Sequence, residues 1–166
     1  MVENYVGRVY RTYLECQDTF NLEKIITDLH SERVINKPNK AWWGSSENAE
    51  YGWKEWCIDN EFGNYDWEHP IRWMLVPGTN IYRIYKPDVS TGSGIKHLER
   101  YLKVFGSQDY GSHYLDFEKM LENDIHAVEL MDAGIGHYFI NRYEMMFNCW
   151  DCESIVVLDP SKIILL

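Results

Sequence analysis

Long apolar runs are missing from this 166-residue sequence, and no stretch approaches the ~20 apolar residues that a membrane-spanning helix needs. Basic residues are scarce as well: 16 Lys and Arg stand against 26 Asp and Glu, a formal net charge of −10. Duplex binding replaces condensed counterions with clustered Lys and Arg, so direct nucleic-acid binding is not expected. An anionic membrane surface is disfavoured for the same reason. Neither a Gly-x-Gly-x-x-Gly run nor a Walker-type loop occurs, which removes the usual sequence basis for a Rossmann or P-loop nucleotide site. No Gly-x-Ser-x-Gly elbow supports a hydrolase triad. The six histidines (His30, His69, His97, His113, His126, His137) form no i, i+4 pair. Cys16, Cys57, Cys149 and Cys152 are scattered rather than framed for disulfides, which suits a reducing compartment. The opening Met1-Val2-Glu3-Asn4 has neither a positive n-region nor an apolar h-region. Taken together, these absences predict a cytoplasmic chain.

Aromatic rings are what the sequence has in abundance. Phe, Trp and Tyr make up 15%, with 7 Trp and 12 Tyr, inside an otherwise ordinary composition of 45% hydrophobic and 25% charged residues. Such rings supply much buried area to a small core, and they also line pockets for planar ligands. The length fits one domain that buries roughly two-thirds of its unfolded surface.

Strand patterns are expected over residues 5–13, 41–43, 71–76, 81–85, 125–130, 154–158 and 163–166. Helical spacing is expected over residues 21–29, from Ser45 and Ser46 to about Phe62, over 95–105, and over 116–122. Turns are read at residues 36–39 and 77–80, and a loop at residues 88–94; residues 137–147 fit either pattern. Helices fall between strands without a regular βαβ rhythm, so the predicted class is α+β in a single domain over residues 1–166.

The sharpest cluster is the run from Asn148 to Leu158, in which Asp151 and Glu153 directly precede a β-branched strand. Two residues apart in extended chain, they point to one face. A carboxylate held at a strand edge over a cleft can orient a sugar hydroxyl or stabilise the positive charge of an oxocarbenium-like transition state. A solvated acid in front of a strand carries the same signature. Cys149-Trp150-Asp151-Cys152 is a lone CxxC; zinc would need two further ligands, with Cys57 and His137 the candidates, and a redox pair would want a helix after the first Cys. No metal is expected. Glu55, Asp59, Glu61, Asp66 and Glu68 read as a solvated face or as an acidic surface for a basic partner.

The run Cys152-Glu153-Ser154-Ile155-Val156-Val157-Leu158-Asp159-Pro160-Ser161-Lys162-Ile163 resembles the closing motif of the poly(ADP-ribose) polymerase and diphtheria-toxin-like transferases of the ADP-ribosyltransferase superfamily, which also holds the mono-ADP-ribosyltransferases. There a catalytic Glu precedes a hydrophobic strand, a short turn and one more strand, which places the family Glu on Glu153. Lys40-Ala41-Trp42-Trp43-Gly44-Ser45-Ser46, followed by Tyr51, Trp53 and Cys57, is similar to the family's aromatic strand and helix. The resemblance implies that nicotinamide lies between Trp42 or Trp43 and Trp53, with Ser45 and Ser46 at the position of the Ser-Thr-Ser element. Val9-Tyr10-Arg11-Thr12 is similar to the first strand of the Arg-bearing branch, where Arg11 would meet an NAD phosphate or ribose. The acid two residues before the family Glu would be Asp151, a departure from the usual pattern, and the first-strand Gly is missing. These segments touch about a quarter of the chain.

What the resemblance implies is a split-sheet fold and transfer of ADP-ribose from NAD to an acceptor, expected to be a protein. Glu153 would hold the nicotinamide-ribose 2′-hydroxyl and stabilise the oxocarbenium, and Asp151 would orient the acceptor nucleophile. A different class of function also fits the composition: a non-catalytic acidic module of phage or mobile-element type that blocks a basic, nucleic-acid-handling partner.

Overall fold

Two segments, Ala127-Val128-Glu129-Leu130 and Ser154-Ile155-Val156-Val157, are apolar at nearly every position. Strands of that kind belong inside a sheet that is covered on both faces. The computed structural model places them so. It describes residues 1–16, 18, 20, 21, 25, 27–29, 38, 40–85, 98–105, 112–131, 150 and 152–166. In chain order these hold strands β1 (Val2–Asn4), β2 (Tyr10–Thr12) and β3 (Trp42–Ser46), helix α1 (Trp53–Asp59), then β4 (Ile71–Leu75) and β5 (Asn80–Ile84). After them come β6 (Leu102–Phe105), β7 (Ser112–Leu115), helix α2 (Phe117–Glu122), β8 (Ala127–Leu130), β9 (Ser154–Val157) and β10 (Ile163–Leu165). The class is α+β, mostly one large mixed sheet with few helices.

Eight strands form that sheet in the order β1-β5-β8-β9-β3-β2-β4-β10, and β6 and β7 make a separate hairpin. Only the β5–β8 pairing is parallel among these ladders. Register explains the two cores. Tyr82, Val128, Val156 and Trp43 stand opposite one another across four strands and face a cluster with Phe117, Met120, Leu115 and Trp150. One position along, Ile81, Ala127, Val157 and Trp42 face the other side, with Tyr10, Trp73 and Leu75. Strand alternation thus sends Trp42 and Trp43 to opposite faces.

One row carries charge. Arg83 and Glu129 are cross-strand partners, both buried, joined by Arg83 Nε to Glu129 Oε2 at 2.7 Å. Arg8 donates to the second Glu129 oxygen at 2.9 Å, and Arg83 reaches Glu3 of the edge strand at 2.5 Å. Burial works to lower the Arg83 pKa, but its bonds to Glu129 and Glu3 outweigh that and raise it.

Several expected elements stand within a residue or two of their predicted positions, among them β4, β5, α2, β8, β9 and β10. Others are corrected. Of the strand expected over 5–13 only β2 forms, residues 5–9 are not strand and carry Gly7 at φ +81°, and β1 precedes them at Val2–Asn4 where no strand is expected. Ser45 and Ser46 do not open a helix; they extend β3, because they pair with Arg11 and Tyr10, and helix starts only at Trp53. In place of helix over the whole of 95–105, Leu102–Phe105 pairs with Ser112–Leu115 as a hairpin. Of the helix expected over 21–29, the described residues are not helical, and Asp28 instead exchanges backbone hydrogen bonds with Lys40. Residues 88–94 and 137–147, and the 36–39 turn apart from Pro38, lie outside the described residues. Among the described residues no helix is long and apolar enough to cross a membrane.

Candidate functional site

The site begins where the sheet changes hands. Along β3, Trp42, Trp43 and Gly44 pair with β9, whereas Ser45 and Ser46 pair with β2. Past Arg11, β2 leaves β3, while its pairing with β4 on the other side continues through Thr12 opposite Ile71. Side chains bridge the fork: the Thr12 hydroxyl donates to the Trp43 carbonyl at 2.5 Å and accepts from Trp73 Nε1 at 2.9 Å. Glycine is required at its base. A Cβ on Gly44 would lie 2.8 Å from the Trp73 ring and 2.9 Å from the Arg11 carbonyl.

Beside this fork lies a cleft of about 300 Å³ lined by Trp43, Trp53, Tyr65, Trp150, Tyr13 and Arg11, with Thr12, Gly44, Cys152 and Ser154 completing it. A volume at the lower end of ligand pockets, walled by aromatic rings with a few polar groups, suits a planar ligand fragment. Its rings are braced from behind. Trp43 meets Trp150 edge-on at 4.9 Å between centroids. Trp53 stacks on Trp56 at 5.1 Å with 14° between planes, and its edges meet Phe62 and Tyr65. Burial raises the Tyr65 phenol above its ordinary pKa, so it is a neutral hydrogen-bonding group at neutral pH.

Ser45, next to the lining residue Gly44, ties three segments together. Its buried hydroxyl donates to the Glu153 carbonyl at 2.8 Å and accepts from the Trp53 amide at 2.9 Å. The second bond caps the N-terminus of α1, helped by Glu55, which accepts from the Gly52 amide at 3.1 Å. Glu153 in turn accepts on Oε1 from the amides of Glu50 and Tyr51, at 3.1 and 3.3 Å, and its own amide donates to the Tyr51 carbonyl. The carboxylate is thereby fixed against the chain that leads into α1.

Arg11 stands opposite Ser45 in the β2–β3 register and reaches the cleft. Its Nε donates to Glu47 at 3.0 Å, and this bond is the main reason its pKa is raised. Glu47 also receives Arg72, and the hydrogen bond from Arg72 outweighs burial and holds its carboxyl below the ordinary value.

Of the residues singled out in the sequence, Arg11, Trp43 and Trp53 line the cleft; Ser45 and Glu153 are bonded to each other but are not among its lining residues, whereas Cys152 and Ser154 on either side of Glu153 are. Trp42 does not join them; it packs between Trp73 and Phe20 in the opposite core. Ser46 faces away from Ser45, and its hydroxyl accepts from the Asn48 amide at 3.2 Å. Asp151 and Cys149 lie outside the described residues. Cys57 is buried, its thiol pushed up to about 11 by desolvation. Among the described residues no group of three His, Cys, Asp or Glu could hold a metal. Tyr13, Thr12, Tyr65, Trp150 and Ser154 line the cleft without having been anticipated. Ser154 and Thr12 had a local signal, since they directly follow Glu153 and Arg11.

No protein-family model, curated protein or solved structure matches the chain.

Proposed function

We propose that the chain is an NAD-dependent ADP-ribosyltransferase built on a split, ADP-ribosyltransferase-like sheet. The observation that carries this reading is the meeting of three segments distant in sequence. Arg11 and Ser45 are cross-strand partners, the Ser45 hydroxyl bonds the Glu153 carbonyl, and the adjoining cleft is walled by Trp43 and Trp53. The change of partner along β3, from β9 to β2, supports the split-sheet part of this reading.

In this proposal the nicotinamide ring stacks among Trp43, Trp53 and Tyr65, and the rest of the dinucleotide runs past Arg11 out of the cleft. Stacking on the positively charged nicotinamide draws on the negative faces of the indoles. The glycosidic bond between ribose C1′ and the nicotinamide nitrogen breaks, and its electron pair neutralises the pyridinium. Positive charge then develops on the ribose. Glu153 supplies the opposing negative charge and orients the 2′-hydroxyl, and its fixed Oε1 means that little reorganisation is needed as the charge appears. The acceptor nucleophile bonds to C1′ and gives up its proton to solvent, with Asp151 assigned to orient it.

The test is nicotinamide release from NAD by the purified protein and by Glu153→Gln. Release by the wild type that falls by about 10²–10³ in the variant, with melting temperature retained, supports the assignment. Equal release by both proteins overturns the role of Glu153. No release with any acceptor tried, together with no NAD binding, overturns the transferase.

A second reading has its own observation. Glu55, Asp59 and Glu61 are exposed around Ile58 and Phe62, whose side chains also reach solvent. A basic protein partner seated there would bind more weakly as salt rises, whereas a stacked nicotinamide would not.

A further inference from the structure

Arg11 and Arg72 are directly opposite in the β2–β4 register, so both side chains leave the same face of the sheet. Their Nε groups converge on one oxygen: Glu47 Oε1 accepts from Arg11 at 3.0 Å and from Arg72 at 2.6 Å. Arg72 Nη2 adds a longer bond to Oε2 at 3.3 Å. Glu47 itself is seated by its amide, which donates to the Val9 carbonyl at 2.9 Å. The two arginine side chains remain 41% and 51% exposed, while that of Glu47 is 16% exposed. Two guanidiniums on one carboxylate leave a net positive charge at the rim of a cleft whose lining includes Arg11, in a chain of net charge −10.

We infer that Arg11 and Arg72 form an oxyanion subsite for the phosphate or diphosphate of a cleft ligand, and that Glu47 occupies this subsite as an internal competitor when no ligand is bound. The choice of a diphosphate rests on the NAD reading; the subsite itself rests on the register and the shared carboxylate. Guanidinium forks match phosphate oxygens in pairs, and a diphosphate brings more charge and more acceptor oxygens than Glu47 can. Exposed ion pairs of this kind contribute little, so displacing the Glu47 carboxylate costs little while the cations stay prearranged. Arg72 carries no such role in the sequence pattern, where it reads as the polar position of a half-buried strand.

Calorimetry with three separate probes tests this: inorganic pyrophosphate, ADP and nicotinamide, each on wild type, Glu47→Gln, Arg72→Gln and Arg72→Lys. Pyrophosphate and ADP should bind roughly threefold to tenfold more tightly to Glu47→Gln and more weakly by a similar factor to Arg72→Gln. Arg72→Lys should fall between, because it keeps the charge but loses the fork. Nicotinamide affinity should be the same in all four proteins. Pyrophosphate and ADP affinities that ignore these substitutions, or no binding of either probe to any of the proteins, overturn the subsite. If pyrophosphate follows the expected order while nicotinamide fails to bind, the subsite stands and the NAD reading falls. If nicotinamide binds and Trp53→Ala abolishes it while Arg72→Gln leaves ADP affinity unchanged, the subsite falls and the NAD reading stands.

Discussion

Deleting one oxygen atom from Ser45 should cost far more than deleting the same atom from its neighbour. The Ser45 hydroxyl is buried and serves the Trp53 amide and the Glu153 carbonyl together. Ser45→Ala takes a partner from each. An unsatisfied buried polar group costs about 1–3 kcal/mol, and loss of a helix cap costs about 1 kcal/mol. Allowing for water reaching one of the two groups, the expected destabilisation is roughly 2–4 kcal/mol. For a domain of this size that lowers the melting temperature by about 5–15 °C. Ser46→Ala removes a partly exposed hydroxyl whose bond is to the Asn48 amide at 3.2 Å, and should stay within about 0.5 kcal/mol of wild type. Urea unfolding of the three proteins makes the comparison, with a lower midpoint and unchanged slope expected for Ser45→Ala. Equal midpoints for the two variants would refute the claim that Ser45 joins β3, α1 and the Glu153 segment.

Three further outcomes follow from the geometry. Gly44→Ala forces a methyl group against the Trp73 ring and the Arg11 carbonyl, and should lower stability by about 1–3 kcal/mol in the same urea assay. Glu129→Ala leaves buried Arg83 without its main partner, and a loss of about 3–5 kcal/mol is expected in thermal unfolding; a neutral result would mean that water already solvates the pair. Cys57, with its thiol near 11, is only ~0.1% thiolate at pH 8. Exposed Cys16 should therefore be alkylated first, as read by peptide mass spectrometry, with Cys57 reacting faster as pH rises toward 11 or when urea opens the fold.

Much of this arrangement was legible locally, and what was not depends on distant pairing. Ile155-Val156-Val157 and Ile71 to Leu75 read as strands because β-branched and aromatic residues fit a pleated, covered surface. The helix signal at Ser45 was a correct sign misplaced in space. Its hydroxyl does cap α1, but from a neighbouring strand, reaching the Trp53 amide across the chain rather than from the preceding residue. Alternation alone separates Trp42 from Trp43, yet which of them meets the cleft is decided by β2 and β9, which are remote in sequence. Tyr65 enters the cleft from outside the named strands and helices, where no periodicity marks a facing side. Arg72 was hidden for a related reason: its significance lies in standing opposite Arg11, a matter of register.

NAD binding measured by calorimetry on wild type, Trp53→Ala and Trp42→Phe tests the central claim most directly. Micromolar to millimolar binding by wild type is expected, with a loss of at least ~tenfold in Trp53→Ala, the order of one aromatic stacking contact. Trp42→Phe should bind as wild type does, because Trp42 packs in the opposite core. No binding by wild type up to several millimolar, or equal affinity in Trp53→Ala, would contradict it.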